Sequence, residues 1–147
     1  MISTNPDIHI ELEGTPEEVR LALETLRTRL TERPLEACNA GTLEIVLAEV
    51  LNNVVEHALA GRSDGLIALT GNYDKCCWHL KVRDNGARMP EDQIPAGHAP
   101  QVETELMDLP EGGFGWMMVR TLACDINYDR AADGWNVLTF ALPDDKP

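Results

Sequence analysis

The sequence is most informative at residues 48–58, AEVLNNVVEHA, which belong to a long helical pattern. Glu49, Asn53 and His57 are spaced four residues apart, so a helix places all three side chains on one face. One explanation is a solvated helix face that is polar in its middle. For this segment taken alone, that explanation is slightly favoured over a functional one.

The residues that precede this polar set are apolar. Ile45 and Val46 stand one helical turn before Glu49, on the same side of the predicted helix. A carboxylate or an amide among apolar neighbours needs a partner, a metal or a ligand, because burying it unpaired costs free energy. The choice between a solvated face and a site therefore depends on the rest of the chain.

The size and composition of the chain indicate one globular domain. A chain of 147 residues with 44% hydrophobic residues suits a single core, and we expect one domain over residues 1–147. No apolar run approaches the roughly 18 residues that a membrane span needs. The first residues have neither the basic region nor the apolar region of a secretory signal.

The charge of the chain limits its partners. A formal net charge of -13 argues against a nucleic-acid partner, because phosphate binding needs clustered Lys and Arg. It favours a basic protein partner, or simple solubility. The four cysteines lack the spacing of a metal site and indicate reduced thiols in a cytoplasmic protein.

The order of the predicted elements indicates an α+β fold. Hydrophobic periodicity predicts strands at residues 8–12, 66–73, 76–83, 125–130 and 135–142, and helices at residues 17–30, 42–59 and 116–124. Thr15 and Glu18 form a predicted capping box at the first helix. We expect a two-layer α/β sandwich, a mixed and mainly antiparallel sheet covered on one face by three helices.

Residues 87–111 show no convincing periodicity and contain several prolines. A loop of this length inside a small domain is typical of an active-site lid. The alternative is a poorly ordered insertion with one short helix near residues 103–107.

Two further segments change the interpretation of the central helix. Asp84-x-Gly86 ends a predicted strand, and Gly113-x-Gly115 opens a predicted helix. Each pattern alone is weak, but the three segments in this order, with a lid between the last two, are much more specific. This order resembles the GHKL (Bergerat-type, histidine kinase-like) ATPases. Within them, the short chain and residues 49–57 resemble the anti-sigma factor serine/threonine kinases of the RsbW and SpoIIAB type.

The resemblance implies a role for each matching residue. Glu49 matches the general base, and Asn53 matches the Asn that ligates Mg²⁺. His57 ends the same motif, where a nucleotide contact and a hydrogen bond to nearby backbone are about equally expected. Thr139 matches a hydroxyl that helps to hold the adenine edge.

The resemblance also implies an ATP-binding pocket. Asp84 matches the aspartate that accepts a hydrogen bond from the adenine amino group, and Gly86 lets the backbone approach the base. The phosphate loop matches Gly113, Phe114 and Gly115, where backbone amides favour anionic oxygen.

The glycine pattern departs from the family at one position. Arg88 stands where a second glycine is often found after Gly86, which leaves the exact shape of the adenine pocket open. Arg88 and Arg120 are candidates to share the phosphate charge with Mg²⁺ and the backbone amides, but we expect solvated roles for both.

The resemblance implies an ATP- and Mg²⁺-dependent protein kinase. Its expected substrate is a STAS-type anti-sigma antagonist, its second partner is a sigma factor, and it is expected to be a homodimer that acts by partner switching. One alternative is a nucleotide-binding module that sequesters a partner without significant kinase activity. Another is a detached domain that phosphorylates a histidine in trans.

Overall fold

The structure is a computed structural model that describes residues 6–32, 40–89 and 113–143. Three α-helices are described: α1 (Pro16–Glu32), α2 (Ala40–Asn53) and α3 (Gly113–Leu122). The five strands are β1 (Ile8–Glu13), β2 (Leu66–Asp74), β3 (Cys77–Asp84), β4 (Cys124–Arg130) and β5 (Asn136–Pro143). Most of the predicted lid, and Cys38, lie outside the described residues.

The strands form one sheet in the order β1-β2-β3-β5-β4. Every pair of neighbouring strands is antiparallel, so the expectation of a mixed sheet is wrong for the described part of the chain. A tight hairpin turn joins β2 to β3, so these two strands must run antiparallel. Lys75 and Cys76 both have positive φ, 51° and 60°, which suits the tight turns that join antiparallel strands.

Alternation along the strands separates a covered face of the sheet from an open one. Trp78, Leu80 and Val82 are buried beneath the helices, whereas His79 and Lys81 between them are exposed. Antiparallel partners lie on the same face, so this alternation extends across the sheet. The prediction of a two-layer α+β sandwich with helices on one face is confirmed.

The first helix begins at its predicted cap. The amide of Glu18 donates to Thr15 Oγ1 over 3.1 Å, as expected for an N-cap. The amide of Thr15 donates to the carbonyl of Glu13 over 2.9 Å, so the Glu18 carboxylate is not needed for the reciprocal bond of the predicted box.

The central helix changes its hydrogen-bond pattern near its end. The predicted single helix to residue 59 is instead α2 followed by a π-helical turn, Val54–Ala58. Its signature is the amide of Leu59 donating to the carbonyl of Val54 over 2.9 Å. Single π turns are frequent at functional sites because they re-aim the residues around them.

None of the helices in the described ranges combines the length and the apolar character that a membrane crossing needs.

Candidate functional site

The central helix presents Glu49 and Asn53 at the boundary between core and surface. Val46 and Val50 are buried and fix the orientation of the helix on the sheet. Glu49 is half-buried, and Asn53 is 7% exposed. The Asn53 side-chain amide donates to the carbonyl of Glu49 over 2.7 Å. The Asn53 carboxamide is therefore held in place by its own helix.

The other half of this carboxamide has no hydrogen-bond partner among the described residues. Asn53 Oδ1 is buried and accepts no hydrogen bond in the described part of the chain. An unsatisfied buried acceptor costs roughly 1–3 kcal/mol, so native proteins rarely keep one without a reason. A ligand that brings a positive charge or a donor to Oδ1 removes this cost.

A magnesium ion fits this acceptor. Mg²⁺ prefers oxygen ligands, keeps several waters, and commonly combines one or two protein oxygens with substrate phosphates. The described residues hold no cluster of three or more His, Cys, Asp and Glu side chains that could bind a metal by themselves. One amide oxygen from Asn53, completed by phosphates and water, is a donor set that suits Mg²⁺.

A buried carboxylate, Asp84, lies at the end of β3. Asp84 is 5% exposed, and its Oδ1 accepts two hydrogen bonds, from the amide of Gly86 over 2.8 Å and from Asn136 Nδ2 over 2.9 Å. No hydrogen bond reaches Asp84 Oδ2 from the residues that the structure describes. Oδ2 therefore remains available to accept a bond from a ligand amino group.

The environment of Asp84 opposes its ionisation. Burial raises the pKa of Asp84, and it outweighs the hydrogen bonds from Asn136 and Gly86 and the positive charges of Arg130 and Arg62, which lower the pKa. Perturbed carboxyl groups in a recess are common at functional sites.

A side-chain network holds Asp84 against the loop that follows it. Asn136 Nδ2 also donates to the carbonyl of Ala87 over 2.8 Å. Asn136 Oδ1 accepts from the hydroxyl of Tyr128 over 2.5 Å and from Arg130 Nη1 over 3.1 Å. The Tyr128 oxygen accepts in turn from the amide of Met89 over 3.0 Å. Strands β4 and β5 thus fix the start of the predicted lid.

Gly86 joins this loop to the end of the central helix. The amide of Ala87 donates to the carbonyl of Ala58 over 2.8 Å. A Cβ atom on Gly86 would lie 2.3 Å from that carbonyl oxygen. Only glycine allows this approach without moving backbone, because no flexible side chain can give way.

A second anchor holds the turn from the other side. The amide of Leu66 donates to Asn85 Oδ1 over 2.8 Å, and Arg62 Nη1 donates to the carbonyl of Asn85 over 2.6 Å. Asn85 Nδ2 donates to the carbonyl of Asp64 over 3.0 Å. The loop that carries Asp84 is therefore bonded to the segment between the π turn and β2.

The glycine motif forms the first turn of α3. The helix begins at Gly113 rather than at Trp116, and it ends at Leu122 rather than at residue 124. Trp116 and Val119 are buried, and α3 packs against α2. The first amides of a helix have no partners within it, so this end favours anionic oxygen.

The central helix therefore touches both other motifs. The loop that begins at Asp84 is bonded to the π turn, and the helix that begins at Gly113 packs on α2. The helix that carries Glu49 and Asn53 thus lies next to both the loop after Asp84 and the helix that begins at Gly113.

Thr139 does not join this site. It pairs with Lys81, whose side chain is exposed, whereas Asp84 pairs with Asn136. Positions three residues apart on a strand face opposite sides of the sheet. Thr139 therefore lies on the open face, away from Asp84, and the prediction that it holds the adenine edge is wrong.

His57 has a different environment from the two residues with which it was grouped. It lies in the π turn and is exposed, whereas Asn53 is buried. The predicted apolar frame around Glu49 is also only half present, because Val46 is fully buried but Ile45 is 52% exposed. Arg88 and Arg120 are exposed.

Asn136, Tyr128 and Arg130 were not predicted as site residues. The alternation of residues along β5 is the signal that could have identified Asn136. Asn136 lies on the same face of the strand as Leu138 and Phe140, which are core residues. An asparagine on the core face of a strand is uncommon and needs a partner. That partner is Asp84.

The close contact at Gly86 generates the first prediction. Replacing Gly86 with Ala forces the Ala58 carbonyl to move, and we expect the free energy of unfolding to fall by about 1–3 kcal/mol. Chemical denaturation of the variant measures this change.

Gly41 provides the matched control. It lies in α2, and a Cβ atom there would meet no heavy atom within 4 Å. Replacing Gly41 with Ala should leave stability unchanged or raise it by up to about 1 kcal/mol, because alanine favours helix. Equal destabilisation by both substitutions would contradict the proposed contact.

The raised pKa of Asp84 generates a prediction about pH. The folded state holds the Asp84 proton more tightly than the unfolded state, so ionisation of Asp84 favours unfolding. The stability of the wild type relative to Asp84→Asn should fall as pH rises from about the ordinary value of 3.8 through the raised pKa, and then stay level. Denaturation curves between pH 4 and 7 measure this difference.

Asp133 is the control for this experiment. It is exposed, and the amide of Trp135 and the side chain of Arg83 lower its pKa from the ordinary value of 3.8. Its stabilising effect is therefore complete above about pH 5, and the difference between wild type and Asp133→Asn should not change from there to pH 7. The same flat profile for Asp84→Asn would refute the burial of an ionisable carboxyl group.

Comparison with known proteins identifies the family of this chain. Residues 12–142 match the model of the histidine kinase-like ATPase domain. The chain is 34% identical over 99 residues to the serine/threonine-protein kinase BtrW of Bordetella bronchiseptica, which covers 67% of each chain.

Solved structures share the fold. The RsbU and RsbW domains of Rv1364c from Mycobacterium tuberculosis match 95% of this chain and 33% of theirs, with a TM-score of 0.58 and 20% identity. The histidine kinase domain from the Erythrobacter litoralis EL346 blue-light activated kinase matches 86% of this chain, with a TM-score of 0.51 and 20% identity. The chain spans 59% of the length of that kinase structure. From its site and these matches, the chain belongs to the histidine kinase-like ATPase domain family.

Proposed function

We propose that this protein is an ATP- and Mg²⁺-dependent serine/threonine kinase of the anti-sigma factor type. Its substrate is a STAS-type anti-sigma antagonist, and it acts as a cytoplasmic homodimer that regulates a sigma factor by partner switching. The name of BtrW as a serine/threonine-protein kinase and the RsbW domain of Rv1364c support this choice within the family.

The observation that carries the proposal is the pairing of Asn53 with Glu49. A buried amide oxygen that accepts no hydrogen bond within residues 6–32, 40–89 and 113–143 lies one helical turn from a half-buried carboxylate. A module that only bound nucleotide would need the first group to hold a cation but would have no use for the second. A kinase needs both.

The nucleotide would be held by groups at both ends of the site. Asp84 Oδ2 would accept a hydrogen bond from the adenine amino group, and Gly86 allows the base to approach the backbone. The first amides of α3, at residues Gly113, Phe114 and Gly115, would face the phosphates. Asn53 would hold Mg²⁺, which neutralises developing charge on the phosphates when it is bound.

Glu49 would act on the acceptor hydroxyl. The oxygen of the acceptor serine or threonine forms a bond to the γ-phosphorus while the bond from that phosphorus to the bridging oxygen of ADP breaks. The electron pair leaves with ADP, and the hydroxyl proton passes to the Glu49 carboxylate. Orientation of the hydroxyl supplies much of the benefit, as is usual in phosphoryl transfer.

The test is transfer from γ-labelled ATP to a purified STAS-domain protein encoded in the same genome. We expect label on serine or threonine, which survives acid treatment. Replacing Glu49 with Gln should lower the transfer rate by about 10²–10⁴-fold, the usual contribution of general base catalysis, and leave ATP affinity unchanged.

Glu56 is the matched control for Glu49. It is an exposed carboxylate in the π turn that follows α2, so Glu56→Gln should transfer phosphate at the wild-type rate. Equal rates in Glu49→Gln and wild type would overturn the base assignment. Acid-labile label would indicate a phosphorylated histidine instead, and no label beside normal ATP binding would indicate a sequestering module.

A further inference from the structure

Arg130 is a half-buried arginine at the end of β4. None of the ion pairs among the described residues includes it. Its Nη1 donates instead to two neutral oxygens, Asn136 Oδ1 over 3.1 Å and the carbonyl of Gly86 over 3.3 Å. Neutral acceptors leave the positive charge of the guanidinium in place, so it acts on the nearest buried charge. Both of these acceptors also contact the Asp84 loop.

The sheet places Arg130 and Asp84 on either side of one side-chain amide. Arg130 pairs with Asn136 in the register of β4 and β5, and Asn136 pairs with Asp84 in the register of β5 and β3. Opposite residues of antiparallel strands share a face, so the three side chains form a row. The oxygen of the Asn136 carboxamide faces the guanidinium, and its Nδ2 donates to Asp84 Oδ1 over 2.9 Å. The amide dipole is thus aligned with both charges, which favours the ionised form of Asp84.

Two other arginines of the described segments lie near Asp84, and each is paired with a carboxylate. Arg62, in the segment before β2, is exposed and forms an ion pair with Asp64 over 3.3 Å. Arg83 precedes Asp84 in β3, so its side chain lies on the opposite face of the sheet, where it forms an ion pair with Asp133 over 2.7 Å. The carboxylate partners offset part of the positive charge of both arginines.

The remaining titratable groups on neighbouring elements are neutral or face water. Tyr128 on β4 is neutral in the physiological range, since tyrosine ordinarily ionises near about pH 10. The side chains of Glu56 and His57 in the π turn are exposed. Burial raises the pKa of Asp84, and Arg130 is the larger of the two positive charges that lower this pKa. Removing the charge of Arg130 therefore raises the pKa of Asp84 further.

The charge state of Asp84 decides which purine its free oxygen can bind. The Gly86 amide and Asn136 both donate to Oδ1, so a ligand meets Oδ2. An ionised Oδ2 accepts a hydrogen bond from an amino group at position 6 of a purine, as in adenine. It repels an oxygen at position 6, as in hypoxanthine, because only a protonated carboxyl group can donate to that oxygen.

We propose that Arg130 is a positioning residue that sets base specificity: it acts through Asn136 to keep Asp84 an acceptor, and so selects 6-amino purine nucleotides over 6-oxo purine nucleotides. This inference rests on the nucleotide site of the proposed function, since it places the base at Asp84. It requires nucleotide binding but not phosphate transfer, so it can be tested separately from the kinase activity.

The binding test compares the affinities for ADP and inosine diphosphate between pH 5.5 and 8. The two nucleotides share their ribose and phosphates, so the ratio of their affinities reports position 6 of the base alone. In the wild type this ratio should rise with pH as Asp84 ionises, and then stay level. In Arg130→Gln the rise should lie at higher pH. Where the wild-type ratio has just become level, the variant's ratio should be about tenfold lower, because its Asp84 is protonated and cannot accept.

Two variants control for charge and for structure. Arg83→Gln removes one positive charge on the opposite face of the sheet, and its ratio should match the wild type at every pH. Arg130→Lys keeps the charge and should restore most of the preference for ADP. An unchanged ratio in Arg130→Gln, an equal loss of affinity for both nucleotides, or the same ratio in the Lys and Gln variants overturns the inference.

A second measurement follows Asp84 without any nucleotide. The ¹³C NMR signal of its side-chain carboxyl group, recorded against pH, should have its midpoint at higher pH in Arg130→Gln than in the wild type and Arg83→Gln. Equal midpoints in all three proteins overturn the inference. A wild type that binds neither nucleotide refutes the nucleotide site and this inference together. The expected ratios without phosphate transfer to the STAS-domain protein support the inference and refute only the kinase.

Discussion

The hydrogen bond between Asp84 and Asn136 is the contact on which the site depends. It joins the ends of β3 and β5 within the covered face, at 2.9 Å. The same asparagine is held by Tyr128 and Arg130, so two strands determine the position of one carboxylate. A buried carboxylate is costly, and its partners allow it to remain where a ligand amino group can reach it.

The close approach of Gly86 to the Ala58 carbonyl connects the Asp84–Asn136 contact to the end of the central helix. The loop after β3 is bonded to the π turn, and the π turn follows directly on Asn53. The metal-binding amide proposed for Asn53 and the base-binding carboxylate proposed for Asp84 are therefore parts of one connected unit. Glu49 is half-buried on the same helix, one turn before Asn53.

Much of this arrangement follows from the sequence, because periodicity and glycine spacing are local properties. The alternation of apolar residues predicted the strands, and the order of three motifs predicted which elements meet. The face of the sheet on which each strand residue lies, and the alignment of neighbouring strands, were harder to predict from the sequence. Thr139 and Asn136 are only three positions apart, yet they face opposite sides of the sheet. The π turn also left no compositional signal, since it differs from α-helix by one residue in its hydrogen bonds.

The central claim is that the free amide oxygen of Asn53 receives the cation that accompanies ATP. The most direct measurement is NMR of the ¹⁵N-labelled side-chain amides during titration with ADP, followed by Mg²⁺. We expect the Asn136 signals to shift with ADP alone, and the Asn53 signals to shift further only when Mg²⁺ is added. Asn53 signals that ignore Mg²⁺ while the nucleotide is bound would contradict this claim.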